Sequence, residues 1–335
     1  MGLKASRPDV EASTVFEPHV ETGAASQAYR RVVDNVRRVI AGNDDAVETA
    51  TLCLFADGNL LLEGVPGVGK TTLARALAVS IGGTFTRIKA TPDLLPSDPT
   101  GISVYEQHEG SFRFLPGPVF ANVVLVDEIN RTPPRTQAAL LEPMEERQVT
   151  VDGITHPLPA PYVVIATENP VEQHGTYPLP EGQLDRFALS VPVGYPDPGS
   201  AADVVKRQLE RHPLGELEAV LSSDDVLEAQ AAVRSVYVDD AVIRYAVELV
   251  TATRSAPDVA LGASPRSSVA LVRCAQARAI AQERDHSLPD DVKALAVPAL
   301  AHRIVTTHGG PAAARAAIEH LLATVPVPLH AARGA

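Results

Sequence analysis

Residues Gly64-Val65-Pro66-Gly67-Val68-Gly69-Lys70-Thr71 fit the pattern G-x-x-x-x-G-K-[ST]. Each residue type has work to do on a phosphate chain. The glycines permit a sharp turn that aims backbone N–H groups inward at phosphate oxygens. A helix starting near Lys70 adds the positive end of its dipole. The Lys70 ammonium reaches the β- and γ-phosphates, and the Thr71 hydroxyl ligates Mg2+. Thr72 extends the cradle by one residue. The chain holds only five lysines, so a lysine in this frame stands out.

A triphosphate with Mg2+ needs an acid for the metal. Val123-Val124-Leu125-Val126-Asp127-Glu128 supplies one at the end of an apolar strand. An acid there faces the ligand crevice of an open α/β sheet. Asp127 is the expected metal acid, with Thr71 as the second protein ligand. Glu128 is placed to act as general base on an attacking water. Asn169 closes another apolar run and reads either as a water-orienting amide or as an Asn-Pro turn starter. Arg186, in Leu184-Asp185-Arg186-Phe187, and Arg266, in Gly262-Ala263-Ser264-Pro265-Arg266, suit the spread charge of a phosphoryl transition state. Chemistry alone does not choose them from 24 arginines.

The elements that must position these groups follow from periodicity. Residues 1–25 are polar and aperiodic. From Tyr29, Val32, Val33, Val36 and Ile40 recur at helical spacing up to Gly42, and a second helix spans about 44–56. Strands are expected at 59–63, 84–88, 123–126, 162–166 and 189–193, with a helix at 71–81 behind the glycine loop. Strands alternating with helices give a layered α/β domain with a parallel sheet. Two segments break the rhythm. Residues 91–122 hold two strand-like pieces around Glu109-Gly110. Residues 148–154 place Asp152-Gly153 between two arms, a hairpin signal. After the Pro/Gly boundary at 194–199 the pattern is helical: 201–211, 223–236, 239–252, 267–283, 289–301 and 311–323.

Composition narrows the function classes. The net charge of −12 and 4% aromatic residues, with no Trp, leave no basic stripe or stacking platform for nucleic acid. No apolar run is long enough to span a membrane. Cys53 and Cys274 cannot build a disulfide framework or a cysteine zinc site, and as buried thiols they fit a reducing cytoplasm. No N-K-x-D guanine-reading motif is present.

At this point the ordered motifs carry a resemblance. LLEGVPGVGKT (61–71), TPDLLPSDPTG (91–101), GPVFAN (117–122), VDEINRTPPRTQAALLEPMEERQVT (126–150), ATENP (166–170), GTYPLPEGQLDRF (175–187) and GASPRSS (262–268) are similar to those of the MoxR family of AAA+ ATPases. The likeness runs over nearly all of residues 29–305. It implies a P-loop NTPase core of three layers at 29–196, a flexible arm at 1–28 and a small all-α lid at 200–330. Segment 91–122 would be the helix-2 insert, and 148–158 the hairpin insert before sensor 1. It implies ATP and Mg2+ as ligands, Asn169 as sensor 1, Arg186 as a finger acting on a neighbour's ATP, and Arg266 as sensor 2 reaching the γ-phosphate of its own chain. Gly42 would border the adenine. A hexameric ring, chaperone-like remodelling and a von Willebrand factor A domain partner are the family's expectations. Magnesium-chelatase motor subunits are close relatives, and a nucleotide-gated binding switch is the reading without turnover. Three departures stand out: Glu168 where Gln is usual, Asn59 where His is common, and Pro143 inside the helix after the DEINR motif. Glu168, beside the sensor position, would retune γ-phosphate sensing.

Overall fold

A computed structural model of the chain describes residues 22–169, 175–210 and 213–328. The arm up to residue 21, Pro170 of the ATENP motif, Arg211 and the tail from 329 lie outside the described residues. Helix α1 (Thr22–Arg37) starts seven residues before the expected Tyr29, because Ala25, Ser26 and Ala28 are buried with Tyr29, Val32, Val33 and Val36. Small side chains bury a helix face while giving a weak apolar signal. Helix α2 (Asp44–Phe55) follows, and strand β1 (Asn59–Glu63) leads through the glycine loop into α3 (Lys70–Ser80).

Strand β2 (Phe85–Lys89) precedes the first insert, which contains α4 (Ser97–Thr100), β3 (Gly101–Glu106) and β4 (Ser111–Pro116). Strand β5 (Val123–Asp127) re-enters the sheet. Helices α5 (Pro134–Ala139) and α6 (Leu141–Glu146) then break between them, so Pro143 falls in the first turn of α6, where proline is tolerated. Strands β6 (Gln148–Val151) and β7 (Ile154–Pro157) form the expected hairpin. Its two turn residues, Asp152 and Gly153, both have positive φ, which matches the twist of a two-residue hairpin. Strand β8 (Val163–Glu168), helix α7 (Glu181–Leu184) and strand β9 (Phe187–Pro192) complete the core.

Five strands form one parallel sheet in the order β2-β5-β8-β1-β9. Its inner strands β5, β8 and β1 are apolar on both faces, as a sheet covered on both sides requires. Leu60, Leu62, Leu125, Ile165 and Leu189 pack with α1, α2, α3 and the C-terminal helices. Leu61, Val124, Val126, Val164 and Phe187 pack on the other side with Ile129, Leu140, Met144 and Val149. That is the expected three-layer core.

Helix α8 (Pro198–Glu210) leads into α9 (Ser223–Ser235), α10 (Asp240–Ala252), α11 (Pro265–Ala281), α12 (Pro289–Leu300) and α13 (Gly310–Thr324). This unit is helical apart from a short antiparallel pairing of β10 (Val259–Leu261) with β11 (Val305–Thr306). No helix among the described residues is long and apolar enough to cross a membrane.

Candidate active site

The phosphate cradle sits at the C-terminal edge of the sheet. Gly67 and Gly69 adopt left-handed φ of 87° and 96°, and Gly69 caps α3. A Cβ at Gly64 would run into the Val193 carbonyl, so the loop can lie this close to the end of β9 only with glycine there. Lys70 is buried and donates to the carbonyls of Gly64 and, at 3.5 Å, Glu168. Burial pulls its ammonium below the ordinary lysine value, and the charges of Asp127 and Glu128 oppose that shift. Lys70 therefore shares one electrostatic site with both acids, although β8 lies between their strands.

Thr167 binds the two acids into a unit. Its hydroxyl donates to Asp127 Oδ1 at 2.8 Å and accepts the Glu128 N–H at 2.8 Å. Glu128 has φ +59°, uncommon for a residue with a side chain. Its carboxylate pairs with Arg131 at 3.1 Å. Asp127 Oδ2 also accepts from Arg87 of β2. Sequence reasoning missed Thr167 and Arg87, because both reach Asp127 across strand pairings that no local motif encodes. The register Lys89↔Asp127 brings β2 alongside β5.

The residues fit Mg2+. Among the described residues no group of three or more His, Cys, Asp or Glu side chains is placed to hold a metal. A magnesium ion at a phosphate cradle needs only one or two protein oxygens, the rest coming from phosphate and water. Thr71, in the first turn of α3, and Asp127 would supply those oxygens, and Arg87 would share Asp127 with the metal.

Gly42 has φ +73°, and a Cβ there would crowd Pro196 and Ser200 at 2.8–3.0 Å. Ile40 lies against the Gly69 position. The segment before α2 thus borders the cradle and the start of α8. Asn169 is buried at the C-terminal end of β8. Glu168 meets Glu63 in register, and both line a cavity of about 350 Å3 with Leu179 and Arg315. Arg315 of α13 holds Glu63 at 2.7 Å. Asn59 is a structural anchor: its amide takes the Val164 N–H at 3.0 Å and donates to the Met144 carbonyl at 3.2 Å.

Burial, and secondarily the Glu63 charge, push the Glu168 carboxyl above its ordinary value near 4.5. A carboxyl raised in the folded chain favours folding at low pH and loses that contribution as pH rises through the raised value. Glu168→Gln is therefore expected to flatten the fall in Tm as pH increases from about 4.5. Thermal melts of both chains across pH check this, and parallel curves would remove Glu168 from the account.

Arg186 and Arg266 converge, but not on the cradle of their own chain. Arg186 pairs with Glu145 of α6 at 2.9 Å, and Arg266 pairs with the other oxygen of the same carboxylate. Asp185 docks the start of α11 by accepting from Ser264 at 2.7 Å and Ser267 at 3.2 Å. Arg303 holds the Phe187 carbonyl at 2.7 Å. In the parallel pair of β1 and β9, Asn59 faces Phe187 and Glu63 faces Pro192. Arg186 precedes Phe187 at one edge of the sheet, and the cradle follows Glu63 at the other. A five-residue strand separates those edges by about 16 Å. The resemblance assigns Arg266 to the γ-phosphate of its own chain; here its guanidinium is held by Glu145. The docking of α11 by Asp185 aims Arg266 at Glu145, on the edge where Arg186 lies.

Comparisons with known proteins agree with this fold. Residues 59–189 match the family described as "ATPase family associated with various cellular activities (AAA)", and residues 251–321 match the AAA lid domain. The uncharacterised Bacillus subtilis protein YeaC is 50% identical over 275 residues, 82% of this chain and 86% of its own. The Mycobacterium tuberculosis chaperone MoxR1 is 41% identical over 297 residues, 85% of this chain and 78% of its own. A crystal structure of a candidate ATPase from Cytophaga hutchinsonii superposes with a TM-score of 0.84 at 38% identity, covering 92% of this chain and 97% of that one. With the cradle, the acid pair and the helical lid in place, the chain belongs to the MoxR family of AAA+ ATPases.

Proposed function

We propose that the chain hydrolyses MgATP at sites shared between copies in a ring, hexameric as in the family resemblance, and uses the cycle to remodel partner proteins. The observation that carries this is the separation of the two halves of the site. Lys70, Asp127 and Glu128 gather at one edge of the sheet, and Arg186 with Arg266 at the other. A complete site then takes the cradle of one chain and the arginines of the next.

In each site the cradle N–H groups and Lys70 bind the β- and γ-phosphates. Thr71 and Asp127 would hold Mg2+, which when bound would neutralise phosphate charge. Glu128 orients water and accepts its proton as the γ-phosphoryl group departs. Asn169 holds that water or the γ-phosphate, and the neighbour's Arg186 and Arg266 stabilise the charge spread over the transition state. Arg315 ties the last helix of the lid to Glu63, the residue before the cradle. Loss of the γ-phosphate is thereby felt by the lid as a hinge change.

The two hairpins form the working surface. Phe114 stacks on His156 with ring centroids 3.9 Å apart, joining them. Tyr105, Phe112 and Ile154 remain exposed. The chaperone name of the Mycobacterium relative supports a protein client. A von Willebrand factor A domain protein is the proposed partner, and the cytoplasm the proposed location.

Phosphate release across a protein concentration series tests the reading, with light scattering run with and without nucleotide. Specific activity is expected to rise with concentration as the assembly forms. Constant specific activity from a monomer would contradict shared sites.

A further inference from the structure

The cavity between core and lid carries more positive charge than its carboxylates neutralise. It has a volume of about 380 Å3, and its lining includes six arginines: Arg147, Arg186, Arg234, Arg266, Arg273 and Arg303. Only three acids face them, and all three are engaged. Asp57 is held by Arg147 at 3.3 Å, Glu145 by Arg186 and Arg266, and Asp185 by Ser264, Ser267 and, at 3.6 Å, Arg303.

Two arginines are left over. Arg266, Val269, Ala270 and Arg273 line the cavity from one face of α11, at spacings of three, four and seven residues. Seven residues of helix place Arg273 about 10 Å along the axis from Arg266. Arg234 stands in the last turn of α9 and lines the same cavity. Among the described residues neither Arg234 nor Arg273 has a carboxylate partner in hydrogen-bonding or ion-pair range. The Nη1 of Arg273 is buried without a hydrogen-bond partner. Burial and the like charge of Arg234 pull Arg273 below the ordinary arginine value, and Asp57, already held by Arg147, offsets this only in part.

A buried donor without a partner costs about 1–3 kcal/mol, more when charged, and native structures fill such positions. A cavity of this size lies in the range that small ligands occupy. Phe55, Ala56 and Ala188 supply apolar wall around the cations. Arginine's planar fork matches phosphate oxygens.

We propose that Arg234 and Arg273 form an anion site of their own, within a single chain, for a diphosphate-class ligand. It lies two turns of α11 away from the Glu145 cluster and needs neither a neighbour nor the cradle, so it stands apart from the shared-site reading. The ligand is either free diphosphate or the phosphates of a nucleotide.

Pyrophosphate is titrated by calorimetry into the full-length Lys70→Ala chain, whose own cradle is silenced, at a concentration where it is monomeric. Binding at one site per chain is expected. Arg273→Gln and Arg234→Gln are each expected to weaken it at least about tenfold, the loss of one charge-assisted hydrogen bond. The ligand-free Arg273→Gln chain should melt no lower than its parent, because it loses a half-buried cation whose Nη1 has no partner. If ADP displaces pyrophosphate, the site takes nucleotide phosphates; if it does not, the site takes free diphosphate. No binding to the Lys70→Ala chain, or affinity in the two arginine variants unchanged from that parent, overturns the proposal. So does a marked fall in Tm of ligand-free Arg273→Gln, which would make the arginine structural.

Discussion

Glu128→Gln is expected to bind ATP as the parent does and to hydrolyse it about 10^2–10^4 times more slowly, the usual worth of a positioned general base. The carboxylate is held from three sides. Its backbone N–H sits on Thr167, its left-handed φ lifts it out of the strand, and Arg131 fixes its far end at 3.1 Å. Glutamine keeps the shape and most of these restraints but cannot accept a proton at neutral pH. Fluorescent-nucleotide titration beside phosphate release separates the two effects. A Gln variant that turns over at the parental rate would place the base elsewhere, and one that no longer binds would make Glu128 part of the cradle.

Arg186→Ala is expected to lose about 10^3–10^5 in turnover, the range of an arginine finger supplied in trans. Its fold should survive, since among the described residues the side chain gives up polar contacts only with Glu145 and the Gly182 carbonyl. Arg186→Lys is expected to recover little, because an ammonium lacks the planar fork. Single-turnover assays at saturating ATP read the loss directly. An Arg186→Ala chain with parental turnover would make its pairing with Glu145 structural.

Much of this site was legible because it is local. The glycine loop, the acid pair closing β5 and the Asp152-Gly153 turn are each set by a few consecutive residues whose backbone demands match their types. The helix break before Pro143 followed from the same kind of rule. What escaped is non-local. Thr167 and Arg87 act on Asp127 through the pairing of β8 and β2 with β5. The early start of α1 was hidden by alanines and a serine that bury without advertising it. The placing of Arg266 depended on how Asp185 docks α11, which joins residues about 80 positions apart in the chain. The family resemblance assigned that arginine to the γ-phosphate of its own chain, and no local motif pointed to Glu145, which holds it.

The central claim is that each working site is built from two chains, and mixing two dead variants tests it most directly. Lys70→Ala lacks a working cradle but keeps Arg186, whereas Arg186→Ala keeps its cradle. Each alone should be inactive. Mixed in equal amounts and allowed to exchange subunits, they form interfaces that join the intact cradle of one to the intact arginine of the other. The shared-site account predicts that phosphate release returns on mixing to a definite fraction of the parental rate. A mixture that co-assembles, shown by light scattering, yet stays as inactive as its parts would contradict it.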